Sequence, residues 1–255
     1  MVKIGLKLWN TNTDNYLEIA KELYQDKIFD YIELYVVPNN LDKIDFWKKT
    51  NIPFDIHAPH SAHKMNLSDK EKREFNFNLY LDVKKYADEL NARYIVFHGG
   101  IDGNYQEVAN QIKNFNNSRC LIENKPYKVL KFLEAREYIG TKPSEIKYIK
   151  DFTGCGFCLD IGHAICAGNS FKIDPYQFID DFYQLKPDKI HLSDIEIETE
   201  IDKHFNFGYG NLDFKKLNYI FKSVKDITIE TQKKSKENLD DFIEDVKFIR
   251  SIVNG

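Results

Sequence analysis

Phe157-Cys-Leu-Asp-Ile-Gly-His-Ala164 runs an apolar β-type stretch straight into two metal-ligand types, Asp160 and His163. A short buried run that stops on a carboxylate reads as a strand presenting side chains from its C-terminal end. The same arrangement recurs on both sides of it. His57 lies in Phe54-Asp-Ile-His-Ala-Pro59, His98 in Tyr94-Ile-Val-Phe-His-Gly-Gly100, and Glu123 in Cys120-Leu-Ile-Glu-Asn124. His191 ends Lys189-Ile-His191, Asp202 and His204 form Asp202-Lys-His204, and Glu230 closes Ile227-Thr-Ile-Glu-Thr231. Imidazole and carboxylate are ligands that zinc, manganese and iron accept. Nine such groups, most of them where β-runs stop, predict a multi-metal site.

The β-runs themselves number eight: Lys3–Leu8, Tyr31–Val36, Phe54–His57, Tyr94–His98, Cys120–Glu123, Gly156–Asp160, Lys189–Leu192 and Ile227–Glu230. They read as nearly continuously apolar, the pattern of strands covered on both faces in a parallel sheet. Helical patterns fill most of the gaps. Ser68-Asp-Lys-Glu71 reads as a capping box opening a helix that reaches Leu90. Pro175 opens a segment to Leu185, and Asn238 caps a last helix with Leu239, Phe242, Val246 and Ile249 on one face. The longest connection, Asn124 to Asp151, is expected to hold two helices separated by Gly140 and Pro143. Eight strand–helix units in 255 residues, with no linker-like tract, predict one (β/α)8 barrel spanning 1–255. In such a barrel the functional groups come from strand C-termini, so these nine residues meet at one mouth.

Bulk properties narrow the partners. The net charge of −4, and only five arginines beside 31 lysines, weigh against nucleic acid as a partner. No apolar run approaches a membrane span, and Met1-Val-Lys-Ile-Gly5 lacks a signal-peptide layout. With four cysteines, a reduced cytoplasmic protein is expected, and a homo-oligomer is compatible with the sequence. Cys155-Gly-Phe-Cys158 has redox spacing but does not open a helix, so Cys158 reads as a strand residue and Cys155 as part of the turn before it, while Cys120 and Cys166 read as small apolar fillers. Aromatic and lysine side chains cluster in the segments after the strands, and Trp9, His60, Tyr127, Phe205 and Tyr209 are the candidate substrate contacts.

These motifs resemble the superfamily that joins endonuclease IV with the xylose isomerase-like sugar isomerases and epimerases, over nearly the whole chain. The blocks that carry the resemblance are His57-Ala-Pro59, Phe97-His98, Ile122-Glu-Asn124, Cys158-Leu-Asp-Ile-Gly-His-Ala164, His191-Leu-Ser-Asp194, Asp202-Lys-His204 with Gly208-Tyr-Gly210, and Ile229-Glu-Thr231. In the endonuclease branch, the resemblance implies three zinc ions. One is held by His57, His98 and Glu123, a second by Glu123, Asp160, His191 and Glu230, and a third by His163, Asp202 and His204. In the isomerase branch, the resemblance implies one divalent ion on Glu123, Asp160, His191 and Glu230. The loops depart from the repair enzymes. The segment Trp9-Asn-Thr-Asn-Thr13 has no arginine, His60 stands where a tyrosine wedge is expected, and Lys125-Pro-Tyr-Lys-Val-Leu130 replaces a glycine-rich stretch.

Two activities follow from the resemblance. The preferred one is a divalent-metal-dependent isomerase or epimerase of a sugar or sugar phosphate. There the metal polarises a chelated carbonyl, Glu123 and Glu230 move the proton through an enediolate, and His163 or Lys125 settles the oxygen charge. The alternative is an endonuclease IV-like hydrolase of phosphate esters or phosphodiesters, with two or three metals activating water. The cofactor expected is one to three divalent ions, zinc foremost, with manganese, magnesium, cobalt and iron open.

Overall fold

In the computed structural model, which describes residues 2–253, the eight β-runs become β1 (Lys3–Trp9), β2 (Tyr31–Tyr35), β3 (Phe54–His57), β4 (Ile95–His98), β5 (Cys120–Glu123), β6 (Gly156–Asp160), β7 (Lys189–Leu192) and β8 (Asp226–Ile229). Each pairs in parallel with the next, and β8 pairs with β1, closing a barrel. The surrounding helices are α1 (Thr13–Gln25), α2 (Ile44–Lys48), α3 (Arg73–Glu89), α4 (Tyr105–Phe115), α5 (Pro143–Thr153), α6 (Ile161–Phe171), α7 (Pro175–Tyr183), α8 (Asn218–Ser223) and α9 (Asp240–Val253). This is the (β/α)8 barrel expected from the repeat of strand and helix. No helix among the described residues is long and apolar enough to cross a membrane.

Three local expectations are corrected. Ser68 does not cap α3, because its hydroxyl donates to Asn66 Oδ1 (2.7 Å) and the Ile101 carbonyl (2.9 Å). Asp69 takes the capping role, accepting from the Glu71 N–H at 2.9 Å ahead of a 3-10 turn that leads into α3. The connection after β5 contains a single 3-10 turn, Lys131–Leu133, before α5, rather than two helices. Finally, the strands alternate. Ile4, Leu6, Leu8, Ile32, Leu34, Ile56, Phe97, Ile122, Leu159, Ile190, Ile227 and Ile229 join the main apolar core packed with the helices. The intervening residues face the barrel interior, and many of them are charged.

That interior contains a ladder of opposite charges. Arg93 bridges Asp226 and Asp55, each at 2.8 Å, and Lys189 bonds Asp55 (2.9 Å) and Glu33. Lys7 then joins Glu33 to Glu230, both at 2.6 Å. Apolar inward residues are few: Val96, Leu121 and Cys158 form a separate small cluster against Tyr94. Tyr31 fills the interior beside Gly5, where a Cβ would lie 2.4 Å from the tyrosine ring. Glycine is required there by that close approach. Burial opposes the charge on Lys189, but Asp55 and Glu33 hold its pKa well above the usual lysine value.

Breaking one rung of a buried ladder leaves its partners uncompensated. Lys189→Met should therefore lower stability by about 3–5 kcal/mol in urea unfolding. A loss below about 1 kcal/mol, the size seen for exposed pairs, would show that the barrel does not rely on the ladder.

Candidate metal centre

Strand geometry brings the nine predicted ligands to the C-terminal mouth of the barrel, where contacts link all of them. Glu123, buried at the end of β5, is the hub. Its Oε2 lies 3.2 Å from His57 Nε2, 3.2 Å from His98 Nε2 and 3.3 Å from His191 Nδ1. Its Oε1 lies 3.0 Å from His163 Nδ1 and 3.5 Å from Lys125 Nζ. His191 Nδ1 also approaches Glu230 Oε1 at 3.0 Å. Asp160 Oδ2 lies 3.6 Å from His163 Nδ1, and Asp202 Oδ2 lies 3.2 Å from His163 Nε2 and 2.7 Å from His204 Nε2.

Local hydrogen bonds explain why these side chains point where they do. Asn124 ties the ends of β5 and β6 together, donating to the Asp160 carbonyl (2.9 Å) and accepting from the Asp160 N–H (2.8 Å). Asp160 also caps α6 by accepting from the His163 N–H at 2.7 Å. This capping exchange explains the spacing of Asp160 and His163, since the cap and its third helical residue share one corner. Asp202 and His204 sit on the long loop after β7, and that loop is pinned. Asp194 Oδ2 accepts from the N–H groups of Gly208 (2.8 Å) and Gly210 (2.9 Å). A Cβ at Gly210 would come within 2.4 Å of Asp194 Oδ1 and the Ile195 carbonyl, so the latch requires glycine. The Gln232 N–H then donates to the His204 carbonyl at 3.1 Å, fastening the loop to the end of β8.

The electrostatics favour bound cations. Four carboxylates converge here, and among the described residues the lysines in contact with them are Lys7 on Glu230 and Lys125 on Glu123. Burial, reinforced by Lys7, lowers the pKa of His57, and burial drives His98 well below the ordinary histidine value. Both are therefore neutral imidazoles with ligand lone pairs. Burial pushes Asp160 up to about 6, with Asp202, Glu123 and Glu230 adding to the rise. Burial works against a proton on His163, yet Asp160, Asp202 and Glu123 raise its pKa to about 10. His191 Nδ1 and His204 Nδ1 are buried with no hydrogen-bond partner, although both rings lie among carboxylates. His57–His98–Glu123 and His163–Asp202–His204 each bring their ligand atoms within the spread of a single ion. This mixed imidazole and carboxylate set fits divalent zinc, manganese or iron.

Above these groups lies a cavity of about 600 Å³, with Trp9, Tyr35, His60, Lys125, Tyr138 and Lys233 among its walls. Trp9 and His60 thus face the space where the sequence places substrate. Tyr127 packs on Phe171, Phe205 pairs by backbone with Asp194, and Tyr209 lies exposed beside Lys234, so these three stand on the surrounding loops. His63 bonds Tyr35 Oη through Nδ1 at 2.7 Å. Two residues at the site are not anticipated from the sequence, Lys7 and Glu33. The available signal is a charge inside a buried strand, Leu6-Lys-Leu8 and Ile32-Glu-Leu34, which must find a partner to be tolerated.

The family described as the xylose isomerase-like TIM barrel matches residues 27–252. The chain belongs to that family. Among curated relatives, it is 29% identical over 194 residues to apurinic-apyrimidinic endonuclease 1 of Plasmodium falciparum, covering 69% of this chain and 32% of that protein. It is 29% identical over 181 residues to probable endonuclease 4 of Mycoplasmoides gallisepticum, covering 65% and 59%. The chain thus spans about a third to three fifths of the length of these relatives. Two solved structures share the fold over 99% of this chain. A D-tagatose 3-epimerase-like protein has a TM-score of 0.70 at 19% identity and is covered over 98% of its length. Endonuclease IV from Thermus thermophilus has a TM-score of 0.71 at 18% identity and is covered over 99%.

Metal loading should release protons, because His163 and Asp160 must be deprotonated to act as ligands. With pKa values near 10 and near 6, zinc affinity should rise with pH from 6 to 8 and fall steeply below 6. Calorimetry in two buffers of different ionisation enthalpy measures this release. Glu123→Gln should remove most of the bound metal by elemental analysis. Retention of the full metal content by this variant would refute the hub role.

Proposed function

We propose that the chain is a multi-metal hydrolase of phosphate esters or phosphodiesters, acting on a small substrate. One observation carries this reading: His163 of α6 meets Asp202 and His204 of the latched loop in a closed triad, beside the group centred on Glu123. One-ion proton-transfer chemistry has no use for that second set of ligands, whereas in-line displacement at phosphorus does. The curated relatives named as endonucleases support the same choice. Bound ions would supply an acidified water and Lewis-acid stabilisation of the entering and leaving oxygens.

The remaining work falls to the protein's own groups. Lys125 Nζ lies 3.4 Å from His98 Nε2 and 3.1 Å from His163 Nε2, between the two triads, where an ammonium would hold an anionic oxygen of the substrate. Trp9 is half exposed at the rim and offers a flat apolar face to the leaving group. Lys7 occupies Glu230 Oε1 at 2.6 Å, which makes that carboxylate a poor base for removing a C–H proton.

The arginines support a small substrate over a duplex. Arg93 is committed to Asp55 and Asp226, Arg73 to Glu107, and Arg119 to Asp88. Arg250 donates to the Lys27 carbonyl, and Arg136 lies beside Asp102. Holding a bent duplex calls for a track of phosphate contacts. The isomerase or epimerase reading stands second, favoured by the size of the cavity and its aromatic walls, which suit a small polyol.

Zinc- or manganese-loaded protein should hydrolyse bis(p-nitrophenyl) phosphate, with a rate loss of at least about 100-fold in His204→Ala. A labelled duplex with one abasic site should not be cut at a comparable rate. Deuterium incorporation into a ketose from D2O, undiminished by His204→Ala, would instead establish the isomerase reading. Robust, Glu123-dependent cutting of the duplex would return DNA as the substrate.

A further inference from the structure

Each ligand histidine has two ring nitrogens, and only one can face a metal. The acceptor behind the other nitrogen decides which. His57 Nδ1 lies 2.8 Å from its neighbour's carbonyl, that of Ala58, so Nε2 faces Glu123. His163 Nε2 faces Asp202, while its Nδ1 is shared between the Asn124 carbonyl and Glu123 Oε1, each at 3.0 Å. His191 is turned the other way. Its Nε2 faces Glu33, at 2.9 Å from Oε1 and 3.0 Å from Oε2, and Nδ1 faces Glu123 and Glu230.

We propose that Glu33 is the positioning residue of the central metal site: a buried carboxylate that keeps the proton of His191 on Nε2 and so presents Nδ1 to the metal. The inference rests on the metal-centre reading and is independent of which reaction the centre performs. Glu33 is itself fully enclosed, and its oxygens are already engaged by Lys7, Lys189 and Thr228 Oγ1. For that reason it is not a ligand, although it lies within reach of His57 and His191. Its commitments make it a rigid support, because neither oxygen can turn toward the mouth without giving up an ion pair to Lys7 or Lys189. Lys7 extends the support across the site by holding Glu230, the carboxylate on the other side of His191 Nδ1. An uncharged acceptor, like the carbonyl behind His57, would orient the ring. A carboxylate also makes the imidazole a stronger donor to the metal. An anionic support thus stands behind the histidine that approaches both Glu123 and Glu230.

Glu33→Gln tests the proposal in competition titrations of zinc against a chromophoric chelator. The expected result is a 10- to 100-fold loss of affinity, on the order of that seen for supporting residues of metal ligands, in one class of site, with the class that His204→Ala removes left intact. A merely structural Glu33 would lower the melting temperature and leave every zinc affinity at its wild-type value, and that outcome overturns the proposal. Should the variant fail to fold, the wild type still decides. Long-range 15N–1H correlation of histidine-labelled, zinc-loaded protein should show His191 ligated through Nδ1 with a proton on Nε2. Ligation through Nε2 overturns the proposal. Absence of hydrolysis with both metal results as expected would refute the proposed reaction and leave the role of Glu33 standing.

Discussion

The chain of opposite charges inside the barrel, from Asp226 through Arg93, Asp55, Lys189, Glu33 and Lys7 to Glu230, is the constraint on which the site depends. Barrels of this type are usually filled by branched apolar residues. Here the filling is ionic, so register matters doubly. A slip of one residue in any strand would turn its charges into the helix layer and its apolar side chains into the barrel. The desolvation cost of isolated charges makes such slips unfavourable. The same ladder ends in Glu33, Lys7 and Glu230, so the groups that hold the barrel in register also orient the base of the metal centre.

Above the ladder, the ligands are held by short-range devices. Asn124 joins two strand ends, Asp160 is both helix cap and candidate ligand, and Asp194 latches the loop bearing Asp202 and His204. Each device uses a polar side chain already required by the backbone. A centre built in this way is positioned before any ligand arrives, which keeps the cost of organising it out of the binding step.

Family membership leaves two chemistries available, and the difference between them lies in a few residues. His163, with Asp202 and His204 of the latched loop, is a second group that could hold an ion, and Lys7 occupies an oxygen of the carboxylate that an enediolate mechanism would use as a base. The arginines, meanwhile, are taken up in ion pairs and backbone contacts or stand beside an acid, and none lies in the loop after β1. These observations are the support for the proposed phosphate chemistry on a substrate smaller than duplex DNA, and the size and aromatic walls of the cavity are the support for the isomerase alternative.

The β-runs and their strand-end residues are legible in the sequence because both signals are local: a buried strand must be short and apolar on one face, and a barrel presents its functional groups where strands stop. The eight strands, their order and the nine-residue cluster follow from that. The first part of the β5–α5 connection does not, because its periodicity is not backed by a buried face and it settles into one 3-10 turn. Ser68 departs from its expected capping role because its hydroxyl is claimed by Asn66 and Ile101, and folding is what brings Ile101 near it. Lys7 and Glu33 look like interruptions in apolar strands, and their partners lie up to 223 residues away in the chain. The sequence by itself determined the barrel and the inventory of candidate ligands, through composition and period. Only the tertiary structure decided which nitrogen of each histidine faces the site, which charges pair, and which aromatic residues reach the cavity, because those depend on contacts between strands distant in sequence.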